Sequence, residues 1–387
     1  MPIWRHNDHR HGKNKKKSVL RWVPTCEVEL KKSEERVLQG LNYYQAKICG
    51  LNTISTEDIR PLDECAAENT PTGREVAGTL SEEWLESQNS SDNRQTIAED
   101  DDREILILVH GFAGGVGGWA QNWDFFASKY KVYAFDLPGF ARSERKRVKA
   151  DCIEEAMDFI CDYFKKWMDA LNFSKPAILL GHSFGAYICC YYAIRYPEQV
   201  KMLALADPWG GNVGNPKAVK RLSLSTKFLL YLFYSQNPLA LLRGSGPIGP
   251  LLIKKARPDF RKRWEDFLDN TDIMYDYLYH CNALSPPTGE TLFKVCSHLD
   301  VAAKIPFSEF LPQLSMNIPV GFLFGEISTI DSRSCRELAD EMSMMGFSVA
   351  VDVVPQAGHQ VFTDNVPEFN ARMHNLITLL SDNNMYF

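Results

Sequence analysis

The chain has 387 residues, of which 45% are hydrophobic and 12% aromatic, with a net charge of -6. That is enough to bury a full α/β core of roughly 250–300 residues with extensions to spare, and the acidic balance argues against a general nucleic-acid binder. The ten cysteines show neither a C-x-x-C pair nor regular spacing, which points to reduced, core-filling thiols and away from a disulfide framework.

In chain order, residues 1–17 are polar and basic and are expected to be disordered. They lack the apolar run and small-residue cleavage site of a signal peptide. Residues 21–41 contain Trp22, Pro24 and a helical pattern through Val37, Leu38 and Leu41, with Ser33 as a candidate cap. Residues 1–55 thus read as a basic, partly disordered N-terminus with a Trp22 membrane or lipid-droplet segment. Residues 56–104 are rich in Ser, Thr, Asn, Asp and Glu, as in an acidic, mobile insertion.

From residue 105 the texture changes. Aliphatic runs at 105–109, 132–136, 177–181, 202–207, 320–325 and 349–354 show little polar alternation, as expected of strands covered on both faces. Helical periods separate them. The clearest puts Ile153, Met157, Ile160, Phe164, Met168 and Leu171 on one face. Strand–helix alternation predicts an α/β fold with a mostly parallel central sheet flanked by helices.

The rhythm breaks between Asp207 and Val320, where apolar segments at 222–233 and 264–279 have helical character. The expected organisation is a hydrolase core in residues 105–208 and 319–387, interrupted after the sixth strand by a helical cap, residues 209–318. Phe228, Tyr231, Phe233, Tyr234, Leu241 and Leu242 suit an acyl-chain pocket or simple packing of the cap. The most apolar run, 228–234, is too short to span a bilayer, so a soluble or peripherally attached protein is expected.

The chemistry centres on Gly181-His182-Ser183-Phe184-Gly185, which follows one predicted strand and opens a predicted helix. That context turns a weak motif into a nucleophile elbow. The glycines leave room around a strained turn, and the helix that follows aims its amides at developing negative charge. Ser183 needs a base. His359, in the loop after the last strand, is the best candidate, since this fold orders its triad Ser, acid, His. Asp331 and Glu326, both after the run 320–325, compete as the acid. Asp331 is favoured although it could be only a helix cap, and Asp207 is a third option.

His110-Gly111-Phe112-Ala113-Gly114-Gly115 follows the run 105–109. In this fold such a loop supplies one oxyanion-hole amide and the residue after the nucleophile the other, which assigns the backbone N–H groups of Phe112 and Phe184. Gly114, Gly115, Gly117 and Gly118 would let an acyl carbonyl approach closely. His359 and Asp364 form an H-x-x-x-x-D spacing, a possible acyltransferase pair, although Asp364 also reads as a helix cap. Nothing supports a metal site or an organic cofactor.

The chain resembles the α/β-hydrolase-domain proteins of types 4 and 5. The marks are Trp22-Val23-Pro24-Thr25, His110-Gly111-Phe112, Tyr133-Ala134-Phe135-Asp136 and Asp207-Pro208-Trp209-Gly210. The cap adds Asn237-Pro238-Leu239, Arg257-Pro258-Asp259-Phe260, Tyr279-His280-Cys281-Asn282 and Gly289-Glu290-Thr291. The resemblance implies a serine carboxylic ester hydrolase of lipid metabolism acting on acyl phospholipids or lysophospholipids. Type 4 members are lysophospholipases and N-acyl-phosphatidylethanolamine lipases. Type 5 members are lipid-droplet coactivators of adipose triglyceride lipase with lysophosphatidic acid acyltransferase activity.

The alternative it implies is therefore a cytoplasmic lipid-droplet adaptor that activates a triglyceride lipase. Two departures bear on that choice. Vertebrate type 5 proteins carry Asn where this chain has Ser183, and their several N-terminal tryptophans are reduced here to Trp22, with Trp4 upstream. Lys13 to Lys17 could partly substitute by attraction to anionic lipid.

Overall fold

The structure, a computed structural model, describes residues 25–59, 101–211, 223–224, 237, 239–330 and 332–383. Trp4, Lys13 to Lys17, Trp22, Asp331 and the aromatic residues Phe228 to Tyr234 lie outside the described residues, as does most of the acidic insertion.

Eight strands form one sheet in the order β1-β2-β4-β3-β5-β6-β7-β8. The strands are β1 (Tyr44–Ile48), β2 (Leu51–Ser55), β3 (Ile105–Val109), β4 (Lys131–Phe135), β5 (Ala177–His182), β6 (Val200–Ala206), β7 (Val320–Gly325) and β8 (Val349–Val354). The six expected strands are β3 to β8, and they pair in parallel. The hairpin β1–β2 was not expected. It adds an antiparallel edge, with β2 pairing to β4. Its sequence hides it, because Gln45, Lys47, Asn52 and Thr53 break the aliphatic pattern. Residues 44–55 therefore belong to the sheet, not to a disordered N-terminus.

Helix α1 (Glu27–Val37) precedes the hairpin. Ser33 does not cap it. It lies inside the helix, and its hydroxyl donates to the carbonyl of Leu30 at 2.8 Å, as a mid-helix serine pointing back at its own turn does. Helix α2 (Ile153–Leu171) buries Ile153, Met157, Ile160, Phe164 and Met168 against the sheet. Its Trp167 stacks near Phe135 and donates its indole N–H to Thr53 Oγ1 at 2.8 Å. Each such side chain contributes roughly 1.5–3 kcal/mol by leaving water. Helix α3 (Phe184–Arg195) is buried almost all round, behind β5 and β6.

Among the described residues between β6 and β7 there is only an isolated bridge, Ser297 to Ala303. The interval is helical, with α4 (Ala240–Gly244), α5 (Gly249–Ala256), α6 (Asp259–Trp264), α7 (Asp272–Ala283) and α8 (Thr288–Cys296). Helix α7 packs on α1, so cap and N-terminal segment support each other. Helices α9 (Arg333–Met344) and α10 (Val366–Asn383) flank β8. No described helix is long and apolar enough to cross a membrane. Among the described residues eight cysteines are free thiols, six of them buried. Cys49, at the hairpin turn, is disulfide-bonded, so the expectation of wholly reduced cysteine does not hold there.

The chain passes from β3 to β4 on one side, then back across to β5 on the other. Crevices form where strand order reverses in this way, beyond the carboxyl ends of the parallel strands. The loops after β3, β5, β6 and β8 all open into that region.

Candidate active site

Strand β5 runs directly into α3 through Ser183, which adopts φ 52° and ψ -119°. A non-glycine residue in that region costs on the order of 1–3 kcal/mol and persists only where packing enforces it. The neighbouring glycines allow the enforcement. A Cβ on Gly181 would lie 2.5 Å from the Ala186 Cα, and one on Gly185 would lie 2.4 Å from the carbonyl oxygens of both Val109 and His110. Both obstacles are backbone and cannot turn aside. The Ser183 hydroxyl is thus held at the top of the sheet, 7% exposed.

His359 Nε2 lies 3.0 Å from Ser183 Oγ, and His359 Nδ1 lies 2.6 Å from Asp207 Oδ2. The histidine is where the sequence suggests, in the loop after β8. The carboxylate is not the favoured one. Asp207, fully buried at the end of β6, faces the imidazole. Its two oxygens also accept hydrogen bonds from Gly325 N–H at 3.0 Å and Ser328 Oγ–H at 2.6 Å. The reason is positional. Strand β6 sits between β5 and β7, so its end is one strand from Ser183, and both β7 and its following loop wrap the carboxylate. Asp331 lies outside the described residues. Glu326 turns outward, and its Oε2 accepts the Gln356 N–H at 2.8 Å.

Asp364 does not pair with His359 or cap a helix. Its Oδ2 accepts the Gly358 N–H at 2.8 Å, and its Oδ1 accepts from Arg263 of the cap. It braces the histidine loop and ties it to α6. His182 does the same from below. Its Nε2 donates to the His359 carbonyl at 2.8 Å, with the two rings 4.9 Å apart. Burial, and then the neighbouring His359, hold the His182 pKa well below its ordinary value, which keeps the ring neutral.

His110 sets the opposite wall. Leu137 N–H donates to its Nε2 at 2.9 Å, so the proton sits on Nδ1, which donates to the Gly111 carbonyl at 2.7 Å. Asp136 Oδ1 accepts the Val116 N–H at 2.7 Å, and Oδ2 accepts from Asn52 Nδ2 at 2.7 Å and Arg142 N–H at 3.0 Å. This carboxylate anchors the loop after β3 to the hairpin, a role that sequence reading assigned to no residue. Phe112 follows in that loop. Phe184 opens α3, so its N–H precedes any intrahelical acceptor. Two of the four glycines of the loop have a close neighbour in the cap. A Cβ on Gly115 or Gly117 would meet the Tyr277 side chain of α7, at 2.3 and 2.9 Å. These two make room for the cap.

Burial brings the His110 pKa down to about 4. In the unfolded chain the ring takes a proton near 6.5, whereas the fold resists protonation until about 4. Its contribution to stability is therefore complete above about pH 6.5 and is lost as pH falls toward 4, by on the order of 3 kcal/mol. Thermal unfolding followed from pH 7.5 to 4.5 should show this loss. His110→Asn, which removes the titration, should flatten the acid side; parallel curves for the two proteins would contradict the assignment.

Two cavities meet at the elbow. One, about 870 Å³, is lined by Ser183, His359, Trp209, Phe293 and Asp300. The other, about 250 Å³, is mainly apolar and runs under the cap past Trp119, Leu242, Ile253, Trp264 and Phe362. Phe112, Ala113, His182, Arg257 and Gln360 line both. Of the residues suggested for an acyl pocket, Leu242 lines the apolar cavity and Leu241 is exposed. Among the described residues no group of three or more His, Cys, Asp or Glu could hold a metal ion.

Elbow, parallel sheet and inserted cap define an α/β-hydrolase, and a family model described as the alpha/beta hydrolase fold matches residues 104–246. A carboxylesterase from Bacillus subtilis shares the fold, with a TM-score of 0.56 at 14% identity, covering 91% of this chain and 98% of that one. The human (lyso)-N-acylphosphatidylethanolamine lipase is 34% identical over 74% of this chain and 83% of its own length. The human 1-acylglycerol-3-phosphate O-acyltransferase ABHD5 is 35% identical over 69% and 76%. An abhydrolase domain-containing protein of Caenorhabditis elegans is 38% identical over 68% of this chain, which spans 56% of that relative's length. The chain belongs to the α/β-hydrolase-domain family of these relatives.

Proposed function

We propose that the protein is a serine carboxylic ester hydrolase acting on acyl glycerophospholipids, of the lysophospholipase and N-acylphosphatidylethanolamine lipase type. The observation that carries the reading is the chain of contacts from Ser183 Oγ through His359 to Asp207, at 3.0 and 2.6 Å. Donor and acceptor distances of that size are what a nucleophile, a base and its orienting carboxylate need. The relatives named as lipid hydrolase and lipid acyltransferase support the substrate class.

Ser183 Oγ attacks the acyl carbonyl while His359 Nε2 takes its proton. Asp207 holds the imidazole with its proton on Nδ1 and stabilises the imidazolium. The Phe112 and Phe184 amides receive the oxyanion, each contributing a few kcal/mol to transition-state stabilisation. His359 then returns the proton to the departing alcohol. Water, deprotonated by His359, attacks the acyl-serine and releases a fatty acid. A lysolipid hydroxyl in place of that water gives acyl transfer from the same site, with no need for a separate His359–Asp364 centre. The apolar cavity under the cap takes the acyl chain.

The purified protein is expected to release fatty acid from lysophosphatidylethanolamine and to lose that activity on labelling by a fluorophosphonate. Protein that neither labels nor releases fatty acid would remove the enzymatic reading. It would leave that of a lipid-droplet adaptor for a triglyceride lipase.

A further inference from the structure

Arg257 stands where the cavities meet. It lines the catalytic cavity, the apolar cavity and a third cleft that also borders His359 and Asp364. Among the described residues it is the one permanently cationic side chain lining either the catalytic or the apolar cavity. The guanidinium is oriented, not free to wander. Its Nε and Nη2 donate to Asp259 at 3.0 and 2.9 Å, and its plane lies over the Phe260 ring at 4.3 Å. Among the described residues Nη1 has no hydrogen-bond partner. Asp259 is shared with Arg263, which also bonds Asp364, so its negative charge is not spent on Arg257 alone.

The other charged group on the catalytic cavity is Asp300, which accepts the Ala302 N–H at 3.3 Å. The walls thus offer one cation, at the junction, and one carboxylate. A guanidinium with a side left open, fixed by stacking and a carboxylate behind it, is a ready receptor for a planar or tetrahedral oxyanion. A fatty ester alone has no use for it. A glycerophospholipid has a phosphate a few bonds from the ester carbonyl.

We propose that Arg257 is a specificity-determining residue that binds the phosphate of the lipid substrate, and so favours phospholipids over neutral glycerides at this site. The inference rests on the lipid-esterase reading above. Its bound phosphate sits at the cavity junction, with the acyl chain passing under the cap and the ester carbonyl at Ser183.

The test compares 1-oleoyl lysophosphatidic acid with 1-monooleoylglycerol, which carry the same acyl chain with and without phosphate. For the phosphate-bearing substrate, Arg257→Gln is expected to raise KM about tenfold with kcat within about twofold, the size of a half-exposed charge-assisted contact. KM for monooleoylglycerol should stay unchanged. Arg257→Lys, which keeps the charge and loses the fork, should fall between. Equal changes with both substrates, or none with either, would overturn the assignment. Inorganic phosphate should not slow wild-type hydrolysis of monooleoylglycerol; inhibition abolished by Arg257→Gln would mean a free-anion site instead of a headgroup site. A melting temperature close to the parent's shows Arg257→Gln folded, and turnover of p-nitrophenyl butyrate by the parent, lost in Ser183→Ala, tests the esterase reading separately. If no Ser183-dependent turnover occurs, the esterase reading falls and takes the Arg257 assignment with it.

Discussion

Asp207→Asn is expected to lower kcat/KM by roughly 10⁴, with Asp331→Asn remaining within about twofold of the parent. The amide keeps the shape of the carboxylate but can present an N–H to His359 Nδ1. That stabilises the tautomer with the proton on Nε2, which cannot accept the Ser183 proton. The loss of charge also leaves the imidazolium unsupported. Gly325 N–H still finds the Asn carbonyl at the Oδ1 position, and Ser328 Oγ, whose hydroxyl donates to the oxygen that faces His359, can turn to accept from the new amide, so the fold should survive with modest loss of stability. Steady-state kinetics on lysophospholipid, with melting curves as control, measure the effect. A large loss in the Asp331 variant and a small one in the Asp207 variant would reverse the assignment.

Ser183→Ala is expected to abolish fluorophosphonate labelling and to lower kcat by roughly 10⁴–10⁶, the loss found when a triad nucleophile is removed while binding and the oxyanion donors remain. The melting temperature should hold or rise slightly. The strained backbone is imposed by β5, α3 and the two glycines, and alanine keeps the Cβ that already fits there. The hydroxyl removed is nearly buried and bonds mainly to His359, whose ring, 28% exposed, can turn to water instead. Unaltered turnover by this variant would show that ester hydrolysis, if present, occurs elsewhere. It would also make the serine of the elbow irrelevant to activity.

Much of the site was legible because it depends on local rules. An aliphatic run, then glycine, any residue, serine, any residue, glycine, then a helical period describes one continuous piece of backbone. Every part of it is checked by its neighbours in sequence. His359 was legible for a similar reason, as the first histidine after the last strand. The hairpin β1–β2 was not, since an edge built from Gln45, Lys47, Asn52 and Thr53 carries no aliphatic signature. Its polar side chains are explained only by partners far along the chain, such as Asn52 with Asp136 and Thr53 with Trp167. Asp364 shows the opposite failure. A plausible spacing suggested a catalytic pair, but the side chain points back to Gly358 and across to Arg263.

The sequence by itself determined the fold class, the strand–elbow–helix that strains Ser183, and the loop that carries His359, because each follows from residues adjacent in the chain. The choice of Asp207 as the carboxylate came from tertiary structure alone. Three acids end or follow strands, and sequence cannot say which strand lies beside which. Only the order β5-β6-β7-β8 brings the end of β6 within 2.6 Å of a histidine that lies 152 residues further on. The same is true of Arg257, which reads as one more charge in the cap until folding sets it where two cavities meet.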